Sequence, residues 1–95
     1  MGETRARRDP SAIVIANPPS GATYSIDPTL RREFQTLALR AVTAEHTRVE
    51  WHIDDRPLGR ASSELPFMWP LRPGTHRITA RDSHGRTAES TIDVR

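Results

Sequence analysis

The chain has 95 residues, no cysteine, and a net charge of +2 in which all fourteen basic residues are arginine. Without Cys or Lys there is no disulfide, no thiolate metal site, no Schiff base, no phosphate-loop lysine and no Ser-x-x-Lys nucleophile. The length allows one domain.

Residues 1–11 hold no large apolar residue after Met1, and they read as a tail or linker stub ahead of a domain over 12–95. Ile13-Val14-Ile15 is the first β-branched run, and Asn17-Pro18-Pro19-Ser20-Gly21 ends it with turn chemistry. Ala22 to Ile26 forms a short extended piece with Tyr24 and Ile26 on one face. Asp27-Pro28 has the form of a helix start, with Asp as cap and Pro at the first helical position. Leu30, Phe34 and Leu37 follow at helical spacing, which predicts one short helical turn near 28–34. A strand over 36–42 then points Leu37 and Leu39 inward.

Thr47 to Asp54 is the clearest strand, because Val49, Trp51 and Ile53 alternate with Arg48, Glu50, His52 and Asp54. Asp54-Asp55 turns the chain, and Pro57-Leu58-Gly59 makes a short return. Leu65 to Leu71 carries Pro66 and Pro70, which confine it to an edge strand or an irregular extended segment. Pro73-Gly74 fits the central positions of a type II turn.

Thr75–Asp82 and Arg86–Val94 flank Ser83-His84-Gly85, a three-residue hairpin loop with Gly where a left-handed residue is needed. Closing Asp82 opposite Arg86 sets Ala80 against Ala88, Ile78 against Ser90 and His76 against Ile92. The small and apolar residues then share one face. A one-residue slip would separate them. The other face carries Arg77 and Arg81 with Thr87, Glu89 and Asp93, and Arg77 lies diagonally between the two acids. Short strands, frequent turns and a tryptophan on a central strand predict an all-β, immunoglobulin-like sandwich of about seven antiparallel strands.

Few functional chemistries fit these residues. Beyond Ala12 eleven arginines meet ten acids, so no clustered basic surface marks a nucleic-acid site. The isoelectric point near 10.4 overstates the basicity, because nothing titrates between Tyr and Arg. No run approaches the roughly 18 apolar residues of a membrane helix. His46, His52, His76 and His84 form no His-x-His pair, and His76 and His52 fall on opposite faces, which predicts no metal site. No cofactor is expected. Asp54-Asp55 reads as a turn former.

Trp51 is assigned to the core. Phe67, Met68 and Trp69 are consecutive, so at least one is exposed or half-buried. With Tyr24 and Arg72, Phe67 and Trp69 form the candidate binding surface for a sugar or protein partner. Arg77, Arg81, Glu89 and Asp93 form a charged sheet face, read as solvated and paired.

Five segments together carry a resemblance. They are Asn17 to Ala22 with Ile26-Asp27-Pro28; Gln35 to Ala41; Val49 to Asp54 with Leu58-Gly59; Trp69 to His76; and Asp82 to Arg86 closing on Val94. Over residues 13–95 the chain resembles the C-terminal domain of bifunctional penicillin-binding proteins of the 1C type. Those proteins join a glycosyltransferase domain, a transpeptidase domain and a small β-rich tail. The family has Asp-Gly at the turn after the Trp strand, where this chain has Asp55-Arg56. The resemblance implies a periplasmic, non-catalytic accessory module, monomeric as a fragment. It would dock on the parent's transpeptidase domain or on a periplasmic protein. Peptidoglycan glycan is the alternative ligand.

Overall fold

Alternating apolar residues bury one face of each long strand and so dictate two facing sheets. The computed structural model describes residues 13–45 and 47–95. The expected tail at 1–11 and His46 lie outside the described residues. The strands run β1 (Val14–Asn17), β2 (Thr23–Tyr24), β3 (Thr36–Val42), β4 (Arg48–Ile53), β5 (Arg56–Ser62), β6 (Phe67–Pro70), β7 (Gly74–Arg81) and β8 (Thr87–Val94). One sheet has the order β1-β3-β6 and the other β2-β8-β7-β4-β5. Pairing is antiparallel except for β2, whose two residues run parallel to β8.

The core lies between the sheets. Leu37 and Leu39 face inward from β3, Val49, Trp51 and Ile53 from β4, Ile78 and Ala80 from β7, and Ile92 and Val94 from β8. The β7–β8 register is the expected one, with Ala80 opposite Ala88, Ile78 opposite Ser90 and His76 opposite Ile92. That register places the polar side chain of Ser90 among the core residues. Its hydroxyl donates to the Pro18 carbonyl at 2.7 Å, which satisfies it and ties the β1–β2 turn to the larger sheet.

Three local expectations need correction. The short helical turn expected near 28–34 is present as the 3-10 turn Arg32–Phe34, but it buries no apolar face, and Leu30 and Phe34 are exposed. Side chains claim the backbone groups a helix would have used. Asp27 Oδ1 accepts from the Thr29 amide at 2.9 Å, and the Gln35 side chain accepts from the Asp27 amide at 2.6 Å and donates to the carbonyls of Asp27 and Leu30. The return after Asp55 is a seven-residue strand, β5, rather than a short piece. Pro73 forms a bend without a closing turn bond, and the Arg72 carbonyl is taken by the His76 ring instead.

The β7–β8 loop is held by one carboxylate. Asp82 is buried; its Oδ1 accepts from the amides of His84 and Arg86, both at 2.9 Å, and its Oδ2 from Arg86 Nε at 2.8 Å. Burial works against the charge. The Arg86 amide, its guanidinium and the His84 amide overcome it and hold the carboxyl below the usual carboxylate range. Between the folded value and the unfolded value of 3.8, the unfolded chain binds more protons. The stabilisation is therefore complete above pH 3.8 and lost as pH falls through the folded value. Asp82→Ala is expected to lower unfolding free energy by roughly 2–3 kcal/mol at neutral pH and to flatten the acid limb. Urea titrations across the acid range measure both; an unchanged midpoint and limb would show that the loop needs no carboxylate.

Candidate functional site

The β4–β5 connection sets the geometry of the most developed concave surface. Asp54 and Asp55 have φ of +49° and +69°. Two successive left-handed residues make the mirror-image turn that suits a two-residue hairpin, and Asp tolerates that conformation better than most residues. The two turn residues are thus Asp54 and Asp55. Arg56 already belongs to β5.

Beyond the turn, Trp51 stands opposite Gly59 while His52 stands opposite Pro57, so Leu58 is an inserted bulge residue. Gly59 is favoured twice: its φ is +155°, and a Cβ there would sit 2.9 Å from the Phe67 ring. Phe67, reaching across from the smaller sheet, therefore lies directly over the β5 backbone. This closes the sandwich at Gly59 and leaves a groove beside it.

The groove has a volume of about 670 Å³. Pro57 and Leu58 of β5, Phe67 and Met68 of β6, and the exposed Arg56 and Arg72 line it. His76 braces it. Its Nδ1 lies 2.7 Å from Asp54 Oδ2 and its Nε2 3.0 Å from the Arg72 carbonyl, both within hydrogen-bond distance. The ring also meets Trp69 edge-on, with centroids 5.2 Å apart. Asp54 Oδ1 accepts from the Arg77 amide at 2.9 Å. That amide first, and His76 second, hold the Asp54 carboxyl below the usual carboxylate range despite a small opposing cost of burial.

The groove unites three of the four residues proposed as a binding surface: Phe67, Trp69 and Arg72. Tyr24 does not line it; it packs half-buried against the core from β2, at the other edge of the larger sheet. Trp69 is 3% exposed, so its indole braces the groove from beneath and offers no open stacking face. Sequence reasoning missed Arg56, Leu58 and the Asp54–His76 brace. A glycine two residues after Pro57 was the available bulge signal. Nothing in the sequence pairs Asp54 with a histidine 22 positions away.

On the charged face the diagonal pairing does not occur. Arg77 pairs with Asp55, which the turn brings close, and Asp93 pairs with Arg95 at 3.0 Å. Among the described residues no ion pair joins Arg77 or Arg81 to Glu89 or Asp93. His52 lies 3.9 Å from Glu50 and His84 3.8 Å from Glu45. Among the described residues no three His, Asp or Glu side chains are grouped to hold a metal ion.

Comparison with known proteins separates fold from family. The fibronectin(III)-like modules of CbhA from Clostridium thermocellum superpose with a TM-score of 0.66 at 15% identity, covering 86% of this chain and 93% of theirs. That likeness establishes the sandwich fold alone. The sequence profile of the penicillin-binding protein C-terminus family matches residues 2–94. No curated protein matches the chain.

Gly59→Ala is expected to lower stability by about 1–3 kcal/mol, because its φ of +155° disfavours any side chain and the methyl group must also displace the Phe67 ring. Phe67→Leu should relieve the part of that cost owed to the ring and leave the backbone part. A double-mutant cycle by denaturant unfolding checks it, and additive effects would rule out the ring as the cause.

Proposed function

The chain belongs to the penicillin-binding protein C-terminus family, and from this membership we propose that it is the non-catalytic accessory module of a 1C-type peptidoglycan synthase in the periplasm. The family match along almost the whole sequence carries this reading. The module's task is to dock, on the parent's transpeptidase domain or on a periplasmic partner. No helix among the described residues is long and apolar enough to cross a membrane.

The sequence itself supports a binding role. Transpeptidation of the penicillin-binding type uses a Ser-x-x-Lys nucleophile and a Lys-Thr-Gly strand, and this chain has no lysine. What remains is surface. A glycan would need an open aromatic platform, and the buried Trp69 does not supply one. The apolar groove with its two arginines suits a protein surface better.

Two measurements test the proposal. A fluorescent penicillin should leave the chain unlabelled while labelling a transpeptidase domain treated in parallel. Adding the unlabelled transpeptidase domain of a 1C-type synthase to the isotope-labelled chain should shift amides on one contiguous face. Unchanged spectra at high concentration would sink docking on the parent.

A further inference from the structure

The groove between β5 and β6 combines three properties that together specify an occupant. The first is charge. Asp54 lines the groove, but both its carboxylate oxygens are taken, one by the Arg77 amide and one by His76. Arg56 and Arg72 are exposed, and among the described residues neither has an acidic partner. The groove therefore presents free cations and no free anion. A guanidinium favours a carboxylate, which it can grip with two parallel hydrogen bonds.

The second is apolar surface. Leu58 and Phe67 are half-buried and Met68 is 51% exposed, so an apolar side chain has something to cover. The third is an open strand edge. β6 pairs with β3 on one side only. The Leu71 amide donates to the Gln35 carbonyl at 2.9 Å, and the register runs from Thr36–Pro70 to Leu39–Phe67. Hydrogen-bonded pairs alternate along an antiparallel ladder, so Trp69 and Phe67 bond β3 and the Met68 amide and carbonyl turn outward. Pro66 and Pro70 flank that position and lack donors. The edge can accept a short strand but cannot extend into the long ladder that a second copy would form.

From these we propose that the groove binds a short extended peptide bearing acidic side chains. Its backbone pairs with Met68, an apolar side chain rests on Leu58 and Phe67, and its carboxylates meet Arg56 and Arg72. This is strand addition with charge selection. It rests on the groove alone and holds whichever larger protein carries the domain.

The probe is the peptide acetyl-Glu-Val-Glu-Val-Glu-amide, titrated into the isotope-labelled 95-residue chain. The amides of Leu58, Met68 and Arg72 should shift together, with affinity falling as salt rises. The Lys-Val-Lys-Val-Lys analogue should leave them unmoved. The Arg56→Glu, Arg72→Glu double variant changes two exposed side chains and should bind the acidic peptide at least tenfold more weakly. Its undisturbed spectrum elsewhere would verify folding, and Arg56→Gln, Arg72→Gln serves if it does not fold. Equal binding of both peptides, shifts confined to another face, or no shift at millimolar peptide would overturn the inference. So would a tetramer of N-acetylglucosamine moving the same amides while the acidic peptide does not. Failure of the peptide with transpeptidase docking intact would overturn this inference and leave the accessory-module reading standing.

Discussion

Trp51 needs small neighbours on both flanks, and the register supplies them: Gly59 in β5 and Ala80 in β7. An indole at the centre of a sheet face fills the space that two ordinary side chains would share. It is 1% exposed, so it finds its contacts inside. Ala80 is in turn opposite Ala88, which keeps the next strand shallow as well. On the β5 side the absent side chain of Gly59 admits Phe67 from the facing sheet. The bulge at Leu58 immediately precedes Gly59 in the same strand. The closure of the sandwich and the groove beside it therefore both trace back to the room this one ring requires.

The parts of this fold that were legible in the sequence are those where a single period governs several consecutive residues. β3 and β4 fall where alternation places them, and the β7–β8 register is recovered residue for residue. A one-residue slip would put Ile78 and Ala80 on the face opposite Ile92 and Val94, and the three-residue loop fixes the rest. Legibility ends where a side chain outside the period intervenes. Leu30, Phe34 and Leu37 have helical spacing, but Gln35 ties up the loop backbone and Leu37 is already in a strand. β5 carries Pro57, Gly59 and an inserted residue, so no alternation announces its seven residues. The same limit applied to the site. Phe67, Trp69 and Arg72 are near neighbours in sequence and could be grouped, whereas Tyr24 is separated from them by the strand order. Arg56 and the Asp54–His76 brace enter only when β4, β5 and β7 lie side by side.

The missing lysine acquires a second meaning beside the groove. As a chemical exclusion it removes the nucleophile-activating amine of penicillin-binding catalysis. As a property of surfaces it makes every side-chain cation apart from His a planar fork. Such a cation is more weakly hydrated than an ammonium and more directional in its hydrogen bonds. On the large sheet's outer face two of these forks are engaged locally, Arg77 with Asp55 and Arg60 with Glu50. Those at the groove are not, because the carboxylate that lines it, Asp54, already serves the fold.

Two aspartates whose carboxyls are held below the usual range stand at opposite ends of β7: Asp54 holds the His76 end, and Asp82 follows Arg81 into the loop. β7 is also paired along both edges, with β4 and with β8. β5 and β6 are each paired along one edge, β5 is broken by a bulge, and β6 has four residues. Local opening starts where one-sided pairing and short length leave least to break. The domain thus has a stiff keel along β7 and a yielding lip on either side of the groove. Amide exchange would be slowest along the keel and fastest at the lip, so the surface best able to adapt to a visitor is mounted on the part least able to move.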